Sequence, residues 1–361
     1  MGLKKVVTWV ILALGCSTFI KVLLMLDLNK RVYNHVPGPC RLVEGIDNGS
    51  EDIELVSELG VAFITSGLVF MDEERREKVK GGIFLYDFSK RDFKAIRLPI
   101  EGDFDKASFS PHGISAFVSK KRVTLYVINH PPGGHTVEVF TFNKEKRSLT
   151  FVKTISDPLF TCPNDLTVVG ADRFFITNYC YFYNKWLHKL EAVLQLNLGS
   201  ILFYDGKKAT AVESWSLTPN GISVHPNLTY LYVASPMGEV IKVYKLAKDM
   251  SIEKHTEVSL LSSPDNMFID PNNGDIWVGC HPVGHEVMKH LEDPKNTRSS
   301  SQVLKIRMQE GHKSWVITEP YANDGATISG SSAAVYHEQQ MLIGTVYHKL
   351  LQCDVINPDI V

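Results

Sequence analysis

The sequence has almost no net charge, no low-complexity stretch and only one long apolar run, and each of these absences excludes a class of protein. Its 38 basic and 40 acidic residues give a net charge of −2, so it offers no basic field for binding nucleic acid. Its 25 Gly and 17 Pro form no low-complexity stretch, and the composition is that of a globular protein rather than of collagen, a coiled coil or a disordered chain. No second segment is apolar enough to cross a bilayer, which excludes a multi-span membrane protein.

The single apolar run lies at the N-terminus. Lys4 and Lys5 precede residues 6–26, which are apolar apart from two threonines, one serine and Lys21. No small-x-small cleavage motif ends this run, so we expect an uncleaved signal anchor within residues 1–28. The alternative is a signal peptide cleaved near Gly15. The paired lysines keep the N-terminal tip cytosolic, so residues 29–361 are expected in the lumen of the endoplasmic reticulum or outside the cell, or secreted if the leader is cleaved.

Cysteine use is therefore interpreted for an oxidising compartment. The chain has six cysteines, of which Cys16 lies in the leader. Cys40 is at the start of the folded region and Cys353 is near its end. A bridge between these two would tie the termini together, as a ring-shaped fold requires.

A short motif occurs six times along the body. Each copy has a small or polar residue, often followed by Pro, then one or two polar residues and an apolar run. The polar positions are Glu51, His112, Asn164, Asn220, Asp265 and a serine near 331. Most copies continue as strand, tight turn and strand, which is the hairpin signal. Six such units predict an all-β, six-bladed β-propeller. An array of β-sandwiches is the alternative, but it gives no reason for a polar residue at each repeat.

In a propeller, the starts of the six innermost strands converge on one axis. The converging residues include four carboxylates, which would repel one another strongly in a narrow channel without cations. The other members are mainly amides, and oxygen ligands of this kind favour Ca²⁺ over zinc or copper. Two Ca²⁺ ions would balance the four carboxylates, which belong to Glu51, Asp52, Asp165 and Asp265.

A pair of histidines is predicted beside this channel. Folding the hairpin that follows His112 about its turn near residue 121 places His130 opposite His112, on the same face of the sheet. A register error of one residue would move His130 to the other face. Two imidazoles in contact can abstract a proton from water, with one ring orienting the other.

Several of these motifs together resemble the paraoxonase (arylesterase, lactonase) family. They are Ser-Pro-His-Gly-Ile-Ser at 110–115, Asn-Asp-Leu at 164–166, Asn-Gly-Ile at 220–222, Asp-Asn at 265–266, Trp-Val-Gly-Cys-His-Pro at 277–282, Gly-Ser-Glu-Asp at 49–52 and Leu-Ile-Gly-Thr-Val-Tyr-His at 342–348. The similarity extends from about Cys40 to Cys353. It implies a six-bladed propeller with two axial Ca²⁺ ions and a retained N-terminal apolar segment.

The resemblance also implies roles for individual residues. The ligands of a catalytic Ca²⁺ would be Glu51, Asn164, Asn220, Asp265 and Asn266. The ligands of a structural Ca²⁺ would be Asp52, Asp165 and the backbone carbonyl of Ile114. His112 and His130 match the family's proposed catalytic dyad. His281 matches a pocket histidine, and Phe70 lies where the family has its active-site flap. Cys40 and Cys353 match its disulfide, and Cys280 matches its free buried cysteine.

The implied activity is hydrolysis of lactones, with aryl esters as further substrates. Calcium would polarise the substrate carbonyl, and the histidine dyad would activate water. No nucleophilic serine is needed, and no Gly-x-Ser-x-Gly motif is present. The alternative function is a non-catalytic, paraoxonase-like membrane protein that acts as an accessory or chaperone for ion-channel subunits in the secretory pathway. A strictosidine-synthase-like propeller would not explain the ligand pairs beside His112.

Two segments depart from the family pattern. Tyr179-Cys180 stands where paraoxonases have Asp-His, and Cys162 is likewise unexpected. Folding this hairpin about residue 171 brings Cys162 opposite Cys180, which predicts a second disulfide. Around Phe70, the flap is followed by an unusually charged loop over residues 72–80, so the family's substrate preference does not transfer.

Apolar residues at helical spacing predict an amphipathic helix near the site, either lying on a membrane or packing against the propeller. These residues are Trp186, Leu187, Leu190, Val193 and Leu194. Two sequons, at Asn227 and Asn48, are candidate glycosylation sites, and Asn48 is close enough to Glu51 to be shielded.

Overall fold

The molecule is a six-bladed β-propeller, as the repeat predicted. The computed structural model describes residues 2–71 and 73–357, and within these ranges 25 strands form six sheets. The innermost strands of neighbouring sheets contact one another all the way round, which closes the ring. Asp72, the first residue of the predicted charged loop, and residues 358–361 of the predicted lumenal body lie outside the described residues.

Two elements precede the blades in the sequence, helix α1 (Leu3–Met25) and strand β1 (Cys40–Leu42). Each blade contains four or five strands. Blade 1 contains β2 (Ile53–Val56), β3 (Val61–Ser66), the short α2 (Glu73–Arg76), β4 (Gly82–Asp87) and β5 (Ala95–Arg97). Blade 2 contains β6 (Ile100–Glu101), β7 (Pro111–Ser119), β8 (Arg122–Asn129), β9 (Thr136–Asn143) and β10 (Ser148–Ile155). Blade 3 contains β11 (Pro163–Gly170), β12 (Arg173–Asn178), helix α3 (Lys185–Val193), β13 (Gly199–Tyr204) and β14 (Ala209–Ser216).

The remaining blades repeat this plan, and the last one is completed by the N-terminal strand. Blade 4 contains β15 (Ile222–Val224), β16 (Tyr230–Ser235), β17 (Val240–Leu246) and β18 (Ile252–Ser259). Blade 5 contains β19 (Ser263–Ile269), β20 (Ile276–His281), helix α4 (Gly284–Glu292), β21 (Ser301–Met308) and β22 (Trp315–Asn323). Blade 6 contains β23 (Ser331–His337), β24 (Gln340–Thr345), β25 (Leu351–Asp354) and β1.

The two ends of the body are joined in blade 6. β1 pairs antiparallel with β25, with Cys40 directly opposite Cys353, and these two cysteines form a disulfide. The bridge spans 313 residues of chain, so it restrains the unfolded chain strongly. Hydrogen bonds and a covalent link therefore close the ring at the same place.

Apolar side chains from facing blades hold the ring together. Phe63 of blade 1 and Leu125 and Phe140 of blade 2, for example, are fully buried in one shared cluster. Val, Ile, Phe and Tyr suit such strands because β-branched and aromatic side chains pack well on a pleated surface. Each inner strand is consequently fixed at the axis, and so are the polar residues at its start.

Helix α1 is long and apolar enough to cross a membrane, and none of its residues is buried. The chain just after α1 is docked on blade 5. The Leu26 carbonyl accepts the backbone N–H of His285 at 3.0 Å, and Asp27 Oδ2 accepts that of Gly284 at 3.0 Å. A Cβ atom on Gly284 would collide with the carbonyl oxygen of Met25. The helix that receives this contact, α4, was not predicted from the sequence.

Candidate active site

The five residues predicted to hold a catalytic calcium meet at the axis of the ring. Glu51 lies two residues before the inner strand β2, and Asn220 lies two residues before the inner strand β15. Asn164 lies in β11, and Asp265 and Asn266 lie in β19. All five side chains are buried. The convergence follows from the fold, because equivalent ends of the inner strands face the same end of the channel.

Most of these side chains use one polar atom to bond a neighbour. The Asn266 amide Nδ2 donates to Glu51 Oε1 at 2.9 Å. Asp265 Oδ2 lies 3.0 Å from His281 Nε2, and Asn164 Nδ2 lies 3.4 Å from His112 Nε2. The second polar atom of each ligand remains available, and for all five residues that atom is an oxygen.

These oxygens are the clearest sign of a cation site. Among the described residues, six buried carboxylate or amide side-chain oxygens lack a hydrogen-bond partner, and five of the six belong to the predicted ligand set. They are Glu51 Oε2, Asn164 Oδ1, Asn220 Oδ1, Asp265 Oδ1 and Asn266 Oδ1. Buried oxygens are normally satisfied, so five together require a common partner. Two carboxylates and three amides suit Ca²⁺, which takes six to eight oxygen ligands.

The donor set also argues against softer metals. Nowhere in residues 2–71 and 73–357 do three His, Cys, Asp or Glu side chains form a cluster arranged to hold a metal. A cation bound by these five residues would depend also on the three amide oxygens, which are ligands for a hard cation.

The residues predicted to hold a second, structural calcium are also neighbours. Asp52 Oδ2 accepts the backbone N–H of Ile114 at 2.8 Å. Asp165 Oδ2 accepts that of Ile222 at 2.8 Å, and its Oδ1 accepts that of Leu166 at 2.7 Å. A Cβ atom on Gly113 would lie 2.5 Å from Asp165 Oδ1, so the β7 backbone runs directly against this carboxylate. These contacts link blades 1, 2, 3 and 4 at the axis.

Burial makes the charged forms of these acids costly. It raises the pKa of Asp52 to about 7, and the neighbouring Glu51 adds to the rise. Burial also raises the pKa of Asp165 well above its usual value, with a further contribution from Asp52. The pKa of Asp265 is raised by burial too, although His281 opposes the shift. A divalent cation among these carboxylates would reverse the shifts, because it favours their ionised forms.

His112 and His130 are in contact, but the predicted strand register is wrong. Pro111 pairs with Asn129, so His130 lies opposite Ser110 rather than His112. The two histidines meet diagonally, and a β-bulge between Pro111 and Ile114 adds one residue to β7. His112 Nδ1 lies 2.9 Å from His130 Nε2. The predicted contact is present despite the wrong register, because His112 is two residues from Ser110, the partner of His130, and a two-residue offset keeps both side chains on one face.

Aromatic residues cover the histidine pair. The Phe70 ring lies 5.6 Å from that of His112, 5.5 Å from that of His130 and 5.4 Å from that of Tyr183, all edge to face. Tyr183 is tied to the flap because its hydroxyl accepts the Met71 backbone N–H at 3.2 Å. Phe70 was predicted from the sequence, whereas Tyr183, which precedes α3, reaches the site only through the fold.

A third histidine at the site was also missed. His130 Nδ1 lies 2.8 Å from His135 Nδ1, so three imidazoles form one chain. The two are separated only by Pro-Pro-Gly-Gly, a turn sequence that predicts close approach of its ends. That turn is the signal by which His135 could have been found.

The second disulfide is present between Cys162 and Cys180. It links the residue before β11 to the segment after β12, and β11 carries Asn164 and Asp165. The Cys162 carbonyl also accepts the Tyr179 backbone N–H at 2.9 Å. The disulfide thus links the two strands of this hairpin at the end away from its turn, where the two predicted ligands lie. Cys280, in contrast, is a free buried cysteine, and Cys16 is free and exposed.

Helix α3 exposes its apolar residues, so the alternative that they pack against the propeller is wrong. The exposed fraction of the side chain is 76% for Trp186 and 54% for Leu190, and Leu187, Val193 and Leu194 are exposed as well. The residue buried on the inner side is Glu191, which accepts the backbone N–H groups of Tyr181 and Phe182. The helix therefore presents an apolar face outwards, next to the site.

Comparison with known proteins identifies the family. The arylesterase family model matches residues 31–355, which is nearly the whole body. The chain belongs to the arylesterase (paraoxonase) family. It is 39% identical over 365 residues to Mechanosensory abnormality protein 6 of Caenorhabditis elegans, covering 98% of this chain and 96% of that protein. It is 38% identical over 318 residues to human Serum paraoxonase/arylesterase 2, covering 88% of each, and 36% identical over 358 residues to human Serum paraoxonase/lactonase 3, covering 97% and 99%.

Solved structures support the propeller fold of this arylesterase-family chain. A luciferin-regenerating enzyme superposes with a TM-score of 0.54 over 89% of this chain and 96% of its own. The two sequences are only 12% identical, so this likeness concerns the fold alone.

Proposed function

We propose that this protein is a calcium-dependent hydrolase of lactones and aryl esters. The observation that carries the proposal is the cluster of five unpartnered buried oxygens lying directly beside His112. Glu51 Oε1 is 3.5 Å from His112 Nε2, so a base and a set of cation ligands face the same small volume. Two of the similar human proteins are named for arylesterase and lactonase activity, which supports the same class of reaction.

The chemistry assigned to the chain is general-base activation of water. His112 Nε2 takes a proton as the water oxygen forms its bond to the acyl carbon, and the same proton returns to the departing alkoxide when the ester C–O bond breaks. His130 holds the other nitrogen of His112, which orients the ring. Glu51, Asn164, Asn220, Asp265 and Asn266 would hold one Ca²⁺, and Asp52, Asp165 and the Ile114 carbonyl would hold a second. When bound, the first ion supplies charge stabilisation at the substrate carbonyl oxygen.

We infer that α1 remains attached as a membrane anchor, with the body in the secretory pathway. An N-terminal apolar helix and two disulfides fit that compartment. Leu26 and Asp27, just after the helix, accept hydrogen bonds from the start of α4, so the C-terminal end of α1 is docked on blade 5. The outward apolar face of α3 suits contact with the same membrane, which would bring the active site close to the lipid surface.

The test is lactone and aryl-ester hydrolysis by the full chain in detergent micelles with millimolar Ca²⁺. We expect turnover that requires Ca²⁺ and falls by at least about 100-fold in His112→Gln, because a general base contributes about 10²–10⁴-fold. His225→Gln, on an exposed turn at the other end of blade 4, is the matched control and should keep wild-type activity.

Absence of turnover by folded wild type over a broad panel would overturn the proposal. The accessory-protein function predicted as the alternative would then become the better hypothesis, and membrane protein partners would be sought by crosslinking. Turnover that persists in His112→Gln would leave a hydrolase but remove the histidine from its mechanism.

A further inference from the structure

His135 extends the histidine pair to a chain of three rings. It lies between the turn at residues 131–134 and β9, half-buried, with its Nδ1 2.8 Å from His130 Nδ1. Its ring also packs edge to face against Tyr183, with 4.3 Å between centroids. Contacts on two sides therefore hold the His135 ring in place.

The direction of the hydrogen bonds along this chain can be worked out from its inner end. A neutral imidazole has one donor nitrogen and one acceptor nitrogen. The Asn164 amide Nδ2 can only donate, so the His112 Nε2 that it meets at 3.4 Å is the acceptor. Glu51 Oε1 lies 3.5 Å from the same nitrogen, but it already accepts from Asn266 Nδ2 at the shorter distance of 2.9 Å. The His112 proton is then on Nδ1 and is donated to His130 Nε2. The His130 proton is on Nδ1, and His135 Nδ1 must accept it.

The two outer rings are neutral near pH 7, so the rule of one donor and one acceptor nitrogen applies to each of them. Burial lowers the pKa of His130 well below its usual value and that of His135 to about 4. With His135 Nδ1 accepting from His130, the His135 proton is on Nε2, away from this contact.

We propose that His135 is a positioning residue that sets the tautomers of His130 and His112, so that His112 keeps an unprotonated Nε2 facing the oxygen cluster. Its importance for catalysis rests on the proposed function. Without an acceptor at His135, His130 can instead carry its proton on Nε2 and donate it to His112 Nδ1. His112 then carries its own proton on Nε2. That nitrogen could then no longer take a proton from water.

Three variants test the kinetic consequence. His135→Phe keeps an aromatic ring against Tyr183 but removes the acceptor. His135→Asn restores an acceptor, because the Asn side-chain oxygen occupies nearly the position of the His Nδ1. We expect His135→Phe to lower kcat about tenfold with KM within about twofold, and His135→Asn to recover most of that loss. His255→Phe, an equivalent change on outer strand β18, should match wild type.

A spectroscopic measurement tests the tautomer directly and does not need turnover. The full chain, labelled with ¹⁵N-histidine in detergent micelles with Ca²⁺, reports which ring nitrogens carry protons, and the His112 signals are assigned by their loss in His112→Gln. We expect His112 to be protonated at Nδ1 in wild type and in His135→Asn, and to show both tautomers in His135→Phe.

Two results would overturn the inference. One is a wild-type His112 protonated at Nε2, and the other is a His135→Phe protein with wild-type tautomers and wild-type kcat. If wild type hydrolyses no substrate, the proposed function fails, whereas the wild-type spectrum still decides the tautomer. A His135→Phe chain that does not fold leaves that same spectrum as the deciding result.

Discussion

Asn220 shows how single residues at the axis differ from ordinary buried amides. Its side-chain oxygen is buried and has no partner among the described residues, although an unsatisfied buried polar atom costs about 1–3 kcal/mol. The side-chain oxygen of Gln302, on β21, is also buried without a hydrogen-bond partner, and it is the sixth such carboxylate or amide oxygen among the described residues. Only Asn220 shares its surroundings with four other such oxygens, so only Asn220 is expected to bind calcium.

The first prediction follows from that contrast. Asn220→Ala should lower calcium affinity about tenfold or more, because it removes one of five side-chain oxygens from the site. Calcium titration followed by isothermal calorimetry measures the change, and Gln302→Ala is the matched control with unchanged affinity. Equal affinity for the two variants would remove Asn220 from the ligand set.

Asp165 has a different task, because both of its oxygens accept backbone N–H groups. Asp165→Ala would leave the N–H groups of Leu166 and Ile222 buried without acceptors. We expect the free energy of unfolding to fall by about 3 kcal/mol or more, at about 1–3 kcal/mol for each abandoned group. Denaturant unfolding in saturating Ca²⁺ checks this, with exposed Asp103→Ala as control. A loss no larger than that of the control would show that Asp165 does not hold the blades together.

At the scale of elements, the hairpin of β11 and β12 shows how a local link supports a site. The Cys162–Cys180 disulfide joins two residues with a sequence separation of 18 and closes the hairpin that carries Asn164 and Asp165. The adjacent segment leads through Tyr183 to α3, whose inner face is anchored by buried Glu191. One hairpin thus positions two predicted ligands, part of the aromatic cover and the outward apolar helix.

We therefore predict that replacing Cys162 and Cys180 together with alanine lowers the free energy of unfolding by about 3 kcal/mol, the loop-closure value for a loop of this length. Calcium affinity should fall as well, because the end of β11 is released. Thermal unfolding with and without Ca²⁺ measures both effects, and Cys16→Ser, in the exposed helix α1, is the control. A double variant as stable as that control would contradict the prediction.

For the whole molecule, the topology separates two ends of the ring. The ligand residues, the helices α3 and α4 and the junction with α1 all lie at one end of the strands. Asn227 lies in the turn between β15 and β16, at the opposite end, where its side chain is exposed. A membrane at the first end would leave the Asn227 sequon in open solvent.

The whole-molecule prediction is that Asn227 carries an N-linked glycan when the protein is made in a secretory system. Asn227→Gln should remove a glycosidase-sensitive mass shift. The predicted shielding of Asn48 is wrong, because this residue is exposed. Asn48→Gln should nevertheless cause no mass shift, because Asn48 lies at the ligand end, which faces the membrane in the proposed arrangement. An unglycosylated wild-type chain would argue against a lumenal body.

Much of this molecule was determined by sequence alone, because its repeats are local patterns. Six polar starts, most of them followed by a hairpin signal, predicted the six blades, and the spacing of Cys162 and Cys180 about their turn predicted a bridge that is present. The tertiary structure decided what depends on contacts between distant segments. A one-residue bulge in β7 set the diagonal contact of His112 with His130, the Pro-Pro-Gly-Gly turn brought in His135, and burial of Glu191 turned the apolar face of α3 outwards. Such features depend on register, burial and the unpaired oxygens of five separate chain positions, and these exist only once the ring has closed.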